Sequence, residues 1–171
     1  MLSGKNVQVD MNNIQYTPIG VIRSPFKSIE GMPIQSAGAK GVAGSVEIFE
    51  MFVDGLKDLE GFSHIILIYH FHRSRGYALH VKPFLDNHLR GVFATRAPRR
   101  PNAVGLSVVK LLKVEEHILH IEDVDIVDGT PLLDIKPYVP AFDAKEVERT
   151  GWLSSRAGGV SAVRSDKRFE K

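Results

Sequence analysis

The stretch HIILIYHFH, residues 64–72, is the segment that decides the fold class of this chain. It is short, rich in isoleucine and closely preceded by Gly61, as expected of a β-strand that follows a turn. Segments of the same kind recur on both sides, at Tyr16–Ser24, Gly44–Glu50, Leu106–Val114 and Ile118–Val127. No segment has a long apolar repeat of 3.6 residues, and only Phe52–Phe62 and Phe142–Trp152 suggest helical turns. We therefore predict a mainly β fold, a single antiparallel sheet curled into a barrel with few short helices.

Length and composition indicate one soluble domain. The chain has 171 residues, of which 43% are hydrophobic and 25% charged, and it contains no cysteine, which excludes disulfides and thiol catalysis. The longest apolar run, Ile65–Tyr69, is far shorter than the ~20 residues that a membrane-spanning helix needs, and the first residues lack a secretory signal. We expect a cytoplasmic protein with a flexible N-terminus at 1–13, a barrel domain at 14–142 and a partly ordered C-terminal extension at 143–171.

Positive charge is concentrated in one part of the chain, although the net charge is only +2. No acidic residue occurs between Asp86 and Glu115, whereas this interval contains Arg90, Arg96, Arg99, Arg100, Lys110 and Lys113. Arg99 and Arg100 lie between Pro98 and Pro101, and the prolines restrict the loop before it binds anything. Such a loop suits phosphate or carboxylate, which guanidinium groups bind through paired hydrogen bonds. A solvated arginine loop with no ligand is the alternative.

Three histidines share one strand face in the HIILIYHFH segment. His64, His70 and His72 have the same parity, so a strand projects all three to one side. His70 and His72 form an H-x-H pair, which can supply two metal ligands. Such a site normally also uses a nearby carboxylate, but no acidic residue follows until Asp86. We therefore favour polar strand-end or ligand-contacting roles over a metal site.

A second dense stretch, VDIVDGTPLLDIKPYVP, covers residues 124–140. Asp128 and Gly129 followed by Pro131 predict a tight turn, which a hairpin alone explains. The segment contains more polar residues than a strand that enters the core normally has: Asp128, Thr130, Asp134, Lys136 and Tyr138. Exposed backbone groups at such a turn also suit a nucleoside or amino-acid group. Elsewhere, GVAGSV at 41–46 is too sparse for a dinucleotide fingerprint, and neither a phosphate-binding P-loop nor a G-x-S-x-G motif occurs.

Four segments together resemble the TrmO, or TsaA-like, family: IGVIRSPF at 19–26, LEGFSHIILIYHFH at 59–72, GVFATRAPRRPNAVGLS at 91–107 and DVDIVDGTPLLDIKPYVP at 123–140. The resemblance runs from about Tyr16 to Phe142. It implies an S-adenosylmethionine-dependent methyltransferase that acts on N6 of threonylcarbamoyladenosine at position 37 of tRNA. It also implies a single-sheet β-barrel and a homodimer with active sites near the subunit interface, with no metal and no membrane involved.

The resemblance also implies which residues contact the cofactor: Pro33, Ile34, Gln35, His72, Arg73, Arg96, Leu106, Asp128, Gly129, Thr130 and Pro131. One departs from the family pattern, because Ile34 stands where relatives have arginine, so any contact there must come from the backbone.

Within this framework we expect Arg96 to fix the cofactor, and Arg99 and Arg100 to hold phosphates of the tRNA anticodon loop. Asp128, Lys136 and Tyr138 are the candidate catalytic residues. Two alternatives remain open at this stage: methylation of a small molecule in the same pocket, and a non-catalytic module that binds cofactor or RNA.

Overall fold

The computed structural model of the protein describes residues 14–154 and 163–169. The N-terminus predicted to be flexible, residues 1–13, lies outside these ranges, as do 155–162 and 170–171 of the predicted C-terminal extension. Eight strands are described: β1 Gly20–Arg23, β2 Gly44–Ile48, β3 His64–His70, β4 His80–Val81, β5 Arg90–Gly91, β6 Val104–Glu115, β7 Ile118–Glu122 and β8 Thr130–Pro137.

Six of these strands close into one barrel in the order β1-β2-β7-β6-β3-β8, with β8 returning to pair with β1. All of the pairings are antiparallel. The described ranges contain one short α-helix, α1 Pro140–Asp143, and several 3-10 turns. The prediction of a mainly β, single-sheet antiparallel barrel with few short helices is confirmed.

Strand β3 shows how the sequence fills the barrel. Ile65, Leu67 and Tyr69 point inward and are almost completely buried, whereas their neighbours His64 and His70 lie on the outer side. The same alternation on the other strands completes a core of aliphatic side chains, which includes Ile22, Val46, Val109, Leu111, Leu119, Ile121 and Leu132. A strand exposes alternate residues to opposite faces, so the outward His64 and His70 place Ile65, Leu67 and Tyr69 on the inner face.

Two strands are shorter than the sequence predicts. β1 begins at Gly20 instead of Tyr16, and β7 ends at Glu122 instead of extending to Val127. The end of β7 has a local cause, since Asp123 has a positive φ of 68° and its carboxylate accepts a hydrogen bond from the Gly41 amide at 2.7 Å. The segment that follows therefore leaves the sheet and crosses one end of the barrel.

The turn at Gly129 has the positive φ that its sequence predicts, 76°, but it does not form a hairpin. β7 and β8 are not neighbours, because β8 pairs with β1 and β3. Two of the polar residues of β8 also do not enter the core: Asp134 and Lys136 form an ion pair at 2.8 Å, and both side chains are about half exposed. Thr130, at the start of the strand, is buried.

A small substructure lies beside the barrel, built around the β4–β5 pair. Its centre is the buried carboxylate of Asp86, which accepts hydrogen bonds from Arg90 Nε at 2.8 Å and Nη2 at 2.6 Å. Val81, Val92, Ala97 and Phe169 form a second apolar cluster here. Across the described ranges, no helix has the length and apolar character needed to cross a bilayer.

Candidate functional site

A cavity of about 1070 Å³ opens at the end of the barrel where β3 ends and β6 and β8 begin. Its volume is at the upper end of the range for small-molecule sites, about 300–1,000 Å³. Its walls come from five parts of the chain: the loop at 29–37, the end of β3 with its following turn at 69–74, residues 83–85 with the loop at 93–100, the start of β6 with the segment at 125–130, and the C-terminal residues Trp152, Leu153, Ser165 and Phe169.

Eight of the residues predicted to contact a cofactor line this cavity: Pro33, Ile34, Gln35, His72, Arg73, Arg96, Leu106 and Thr130. They come from separate loops and strands. Gln35 and Arg96 are joined directly, since Arg96 Nη1 donates to Gln35 Oε1 at 2.8 Å. The structure thus brings two polar members of the predicted set together at one wall.

His72 lies just beyond β3, where the chain turns, and its ring contacts Thr130 at the start of β8. Thr130 Oγ1 donates to the carbonyl of Val127 at 2.7 Å and lies 3.3 Å from His72 Nδ1. Because the hydroxyl proton is already used, Nδ1 of His72 must carry the proton in this contact. Burial, together with the nearby charges of Arg73 and His70, lowers the pKa of His72. The imidazole is therefore neutral at pH 7.

One acidic side chain, that of Asp125, occurs among the described residues that line the cavity. Its Oδ1 accepts a hydrogen bond from Ser107 Oγ at 2.7 Å, and Ser107 Oγ lies 3.0 Å from the hydroxyl of Tyr69. Burial raises the pKa of Asp125, and the Ser107 hydrogen bond and the charge of Arg96 oppose this effect. Burial also raises the pKa of Tyr69, so its hydroxyl stays protonated.

The two arginines predicted to bind RNA have different surroundings. Arg100 lines the cavity, but its Nη1 donates to the carbonyls of Val92 at 3.1 Å and Thr95 at 2.9 Å. It also lies over the exposed ring of Phe93, 5.7 Å from the centroid. Arg99 is outside the lining and half-buried, and its Nε has no hydrogen-bond partner. Arg100 therefore stabilises its own loop.

Three predicted cofactor residues do not line the cavity: Asp128, Gly129 and Pro131. Asp128 instead fastens the turn to β1, since it accepts a hydrogen bond from the Ser24 amide at 3.0 Å and one from Lys27 at 2.8 Å. These contacts lower the pKa of Asp128. Gly129 supplies the positive φ, and Pro131 lies opposite Val21 in the barrel.

The candidate catalytic residues Lys136 and Tyr138 lie at the far end of β8. Lys136 pairs with Ile66, and the Tyr138 amide donates to the His64 carbonyl at 3.1 Å, whereas the cavity is at the opposite end of β3. Of the three residues predicted to be catalytic, the structure brings none into the cavity lining, although Asp128 adjoins it through Val127 and Thr130.

The C-terminal residues form a wall that the sequence analysis did not anticipate. Phe169 is 4% exposed and packs edge-on against Phe84, with ring centroids 5.2 Å apart. Arg168 lies over the same ring and donates to the carbonyl of Pro83 at 2.9 Å. Earlier in the C-terminal part of the chain, the Trp152 indole donates to the Ala94 carbonyl at 2.8 Å. The end of the chain thus binds both loops that flank the cavity.

Sequence reasoning also missed Asp125, Ser107 and Tyr69. A signal for Ser107 was present, because it shares parity with Val109 and Leu111 on a strand whose inward positions are apolar. A hydroxyl at such a position needs a partner, which predicts a polar contact inside the barrel. Asp125 had no comparable signal, because Glu122, Asp123 and Asp128 lie close to it in the sequence. No cluster of three metal-ligating side chains occurs among the described residues.

Comparison with known proteins identifies the family. Residues 21–144 match the model of the tRNA-methyltransferase O N-terminal domain. The chain belongs to the TrmO family. The match covers most of the barrel and every part of the cavity except the C-terminal wall.

Relatives and solved structures agree with this assignment. A probable S-adenosyl-L-methionine-binding protein of Pyrococcus abyssi is 56% identical over 156 residues, which are 91% of this chain and 85% of the relative. The tRNA (adenine(37)-N6)-methyltransferase of Escherichia coli is 35% identical, over 94% of this chain and 73% of its own length. The crystal structure of TrmO from Pseudomonas aeruginosa is similar with a TM-score of 0.69 and 39% identity, over 82% of this chain and 62% of that one. The chain therefore spans a little under two thirds of that crystallised TrmO.

Proposed function

We propose that this TrmO-family chain transfers a methyl group from S-adenosylmethionine to N6 of an adenine in tRNA, and that the target is threonylcarbamoyladenosine at position 37 of the anticodon loop. The observation that carries the proposal is the cavity itself, where the Arg96–Gln35 pair and the Asp125 carboxylate face one large space beside an arginine-rich loop. Relatives named as S-adenosyl-L-methionine-binding proteins and as tRNA (adenine(37)-N6)-methyltransferases support both halves of the reaction.

The cavity residues fit a methyl donor with a carboxylate and a planar base. The Arg96 guanidinium suits the carboxylate of the donor. Gln35 accepts a hydrogen bond from Arg96 and so holds the guanidinium in place. Ile34 and Leu106 supply apolar surface for the base. The apolar Ile34 thus has a packing role at a position where relatives have arginine. When bound, the donor supplies a methyl group on a positively charged sulfur, which needs no metal for activation.

Catalysis in such a site rests on positioning. Two reactants held in line react as if they were at very high concentration, and an enclosed site excludes water from the reacting centre. Here the rigid barrel end positions Tyr69, Thr130 and Leu106, whereas the surrounding loops close the sides.

The proposed RNA surface surrounds the mouth of the cavity. Arg73 and Arg96 are exposed, and the Phe93 ring, 73% exposed, offers a flat apolar surface on which a base can stack. Arg99 and Arg100 border the same loop, so we keep the prediction that this loop contacts anticodon-loop phosphates, with Arg100 acting mainly by shaping it.

We also propose a homodimer located in the cytoplasm. Leu106, 53% exposed, leaves apolar surface beside the cavity, which a second subunit would cover. Light scattering of the purified protein, which should give twice the 19.0 kDa chain mass, tests the dimer. A monomer mass at micromolar concentration would contradict it.

The function is tested by methyl transfer in vitro. Purified protein is incubated with methyl-labelled S-adenosylmethionine and tRNA that carries threonylcarbamoyladenosine, unmodified transcript of the same tRNA, or a small-molecule extract. We expect label only in the modified tRNA, in a nucleoside that mass spectrometry identifies as its N6-methyl derivative. Label in the extract alone would instead favour a small-molecule methyltransferase, and donor binding without any transfer would favour a non-catalytic module.

A further inference from the structure

We propose that Asp125 is the catalytic residue that takes the proton from N6 during methyl transfer, and that Ser107 and Tyr69 are positioning residues that hold its carboxylate. This inference rests on the proposed function, and it assigns a proton acceptor to that reaction.

Asp125 lies in the wall of the cavity. Asp125 is the acidic residue among the described cavity-lining residues, and its side chain is partly exposed to that space. Asp128, the other acidic candidate of this segment, is turned away and bound to Ser24 and Lys27. A proton acceptor must lie within hydrogen-bond reach of the reacting atom. Asp125 lines the cavity, which is the position that contact with a base bound there requires.

The hydrogen bonds behind Asp125 are directed toward its carboxylate. Ser107 donates its proton to Asp125 Oδ1, so the Tyr69 hydroxyl must donate to Ser107 Oγ. Ser107 is 4% and Tyr69 6% exposed, so this relay is enclosed by the barrel. The Ser107 hydrogen bond, supported by Tyr69 behind it, therefore fixes the orientation of the carboxylate. The second carboxylate oxygen, Oδ2, is not part of this relay.

The surroundings of the Asp125 carboxylate affect its basicity. Burial raises the pKa of Asp125, which makes it a stronger proton acceptor than a solvated carboxylate. The charged and titratable groups that face it are Arg96 from the cavity loop and Tyr69 from β3. The positive charge of Arg96 acts against the effect of burial and so favours the ionised form, which is the form that accepts a proton.

Methyl transfer to N6 forms one bond and breaks another. The N6 nitrogen forms a bond to the methyl carbon as the carbon–sulfur bond breaks, and the electron pair of the broken bond stays on sulfur, which becomes a neutral thioether. The N6 proton moves to Asp125 and then to solvent. A carbamoyl group on N6 makes this N–H more acidic than that of plain adenine, so a carboxylate is a sufficient acceptor.

The test compares three variants of the full chain: Asp125→Asn, Ser107→Ala and, as a control, Glu122→Gln. Glu122 lies three residues before Asp125 and pairs with Lys110 outside the cavity. Single-turnover methyl transfer to modified tRNA is measured across pH, and donor affinity is measured by calorimetry with S-adenosylmethionine.

For Asp125→Asn we expect a rate at least about 100-fold lower with donor affinity unchanged, in line with the contribution of a positioned general base. We also expect the wild-type rate to rise with pH at acidic pH, as Asp125 loses its proton. This part of the pH–rate profile is the acid limb, and Asp125→Asn should lack it. Ser107→Ala moves that limb to higher pH, because the Ser107 hydrogen bond lowers the pKa of Asp125. Glu122→Gln behaves as wild type.

Three outcomes would overturn the inference: a wild-type rate in Asp125→Asn, a loss of donor binding in that variant, or an acid limb that persists in it and disappears in His72→Gln. If the wild-type protein transfers no methyl group to modified tRNA, the proposed function itself fails, and this result is distinct from the other three.

Discussion

Gly105 lies directly opposite Tyr69 in the pairing of β6 with β3, and the space of its missing side chain is occupied by the phenol ring. A Cβ on Gly105 would overlap with the Tyr69 ring and would lie 2.8 Å from the ring of Phe71. These two aromatic rings pack edge-to-face with centroids 5.5 Å apart and form one wall of the cavity. Glycine at this position therefore sets the position of the hydroxyl that bonds to Ser107.

Replacing Gly105 by alanine should destabilise the barrel and displace Tyr69. We expect a loss of about 1–3 kcal/mol in the free energy of unfolding, as for other cases of overpacking. Chemical denaturation measures this loss. Gly61→Ala is the matched control, since nothing lies within 4 Å of a Cβ there. Equal stability of the two variants would show that Tyr69 moves without cost.

Replacing Phe169 by alanine should detach the C-terminal wall from the cavity. Phe169 is buried against Phe84 and Val92, so its loss leaves a void in the second apolar cluster. We expect a lower melting temperature and weaker binding of S-adenosylmethionine, measured by thermal scanning and calorimetry. Phe142→Ala serves as control, because that ring is 61% exposed. Unchanged donor affinity in Phe169→Ala would mean that the wall does not contribute to the site.

Replacing Arg99 by alanine should weaken tRNA binding and reduce its salt dependence. Each phosphate contact that is lost reduces the slope of log K against log salt by about one. Arg23→Ala is the matched control, because Arg23 pairs with Glu47 on the barrel. Arg100 is unsuitable for this test, since its hydrogen bonds to Val92 and Thr95 hold the loop. An unaltered slope in Arg99→Ala would remove this residue from the RNA surface.

Replacing Asp128 by asparagine should make stability less dependent on pH. The Lys27 hydrogen bond, with a further contribution from the Ser24 amide, lowers the pKa of Asp128 below its ordinary 3.8. The stabilisation is therefore complete above pH 3.8 and is lost as the pH falls through the folded-state value. We expect the difference in unfolding free energy between wild type and variant to shrink on acidification. Lys27→Met should reduce the same acid dependence, and a difference that is constant with pH would contradict the assignment.

Local sequence patterns were sufficient to predict much of the fold. The isoleucine-rich run at 64–72 identifies β3, the shared parity of its histidines identifies one face, and the Gly129 turn has the backbone conformation that its sequence requires. Eight of the residues implied to bind the cofactor do line one cavity. The strand and the turn depend on near neighbours in the chain, for which residue parity and turn chemistry are direct indicators, whereas the cofactor residues were implied by the family resemblance.

The order of the strands and the composition of the site depend on contacts between distant residues. Lys136 and Tyr138 seemed close to the Asp128 turn in sequence, yet an extended strand carries them to the other end of the barrel, because each residue advances the chain by ~3.3 Å. Conversely, barrel closure brings Ser107 against both Tyr69 and Asp125, and the chain end against Phe84. The sequence by itself determined the strands and their faces through local preference. Only the tertiary structure decided which polar groups share the cavity, since that depends on how the sheet closes.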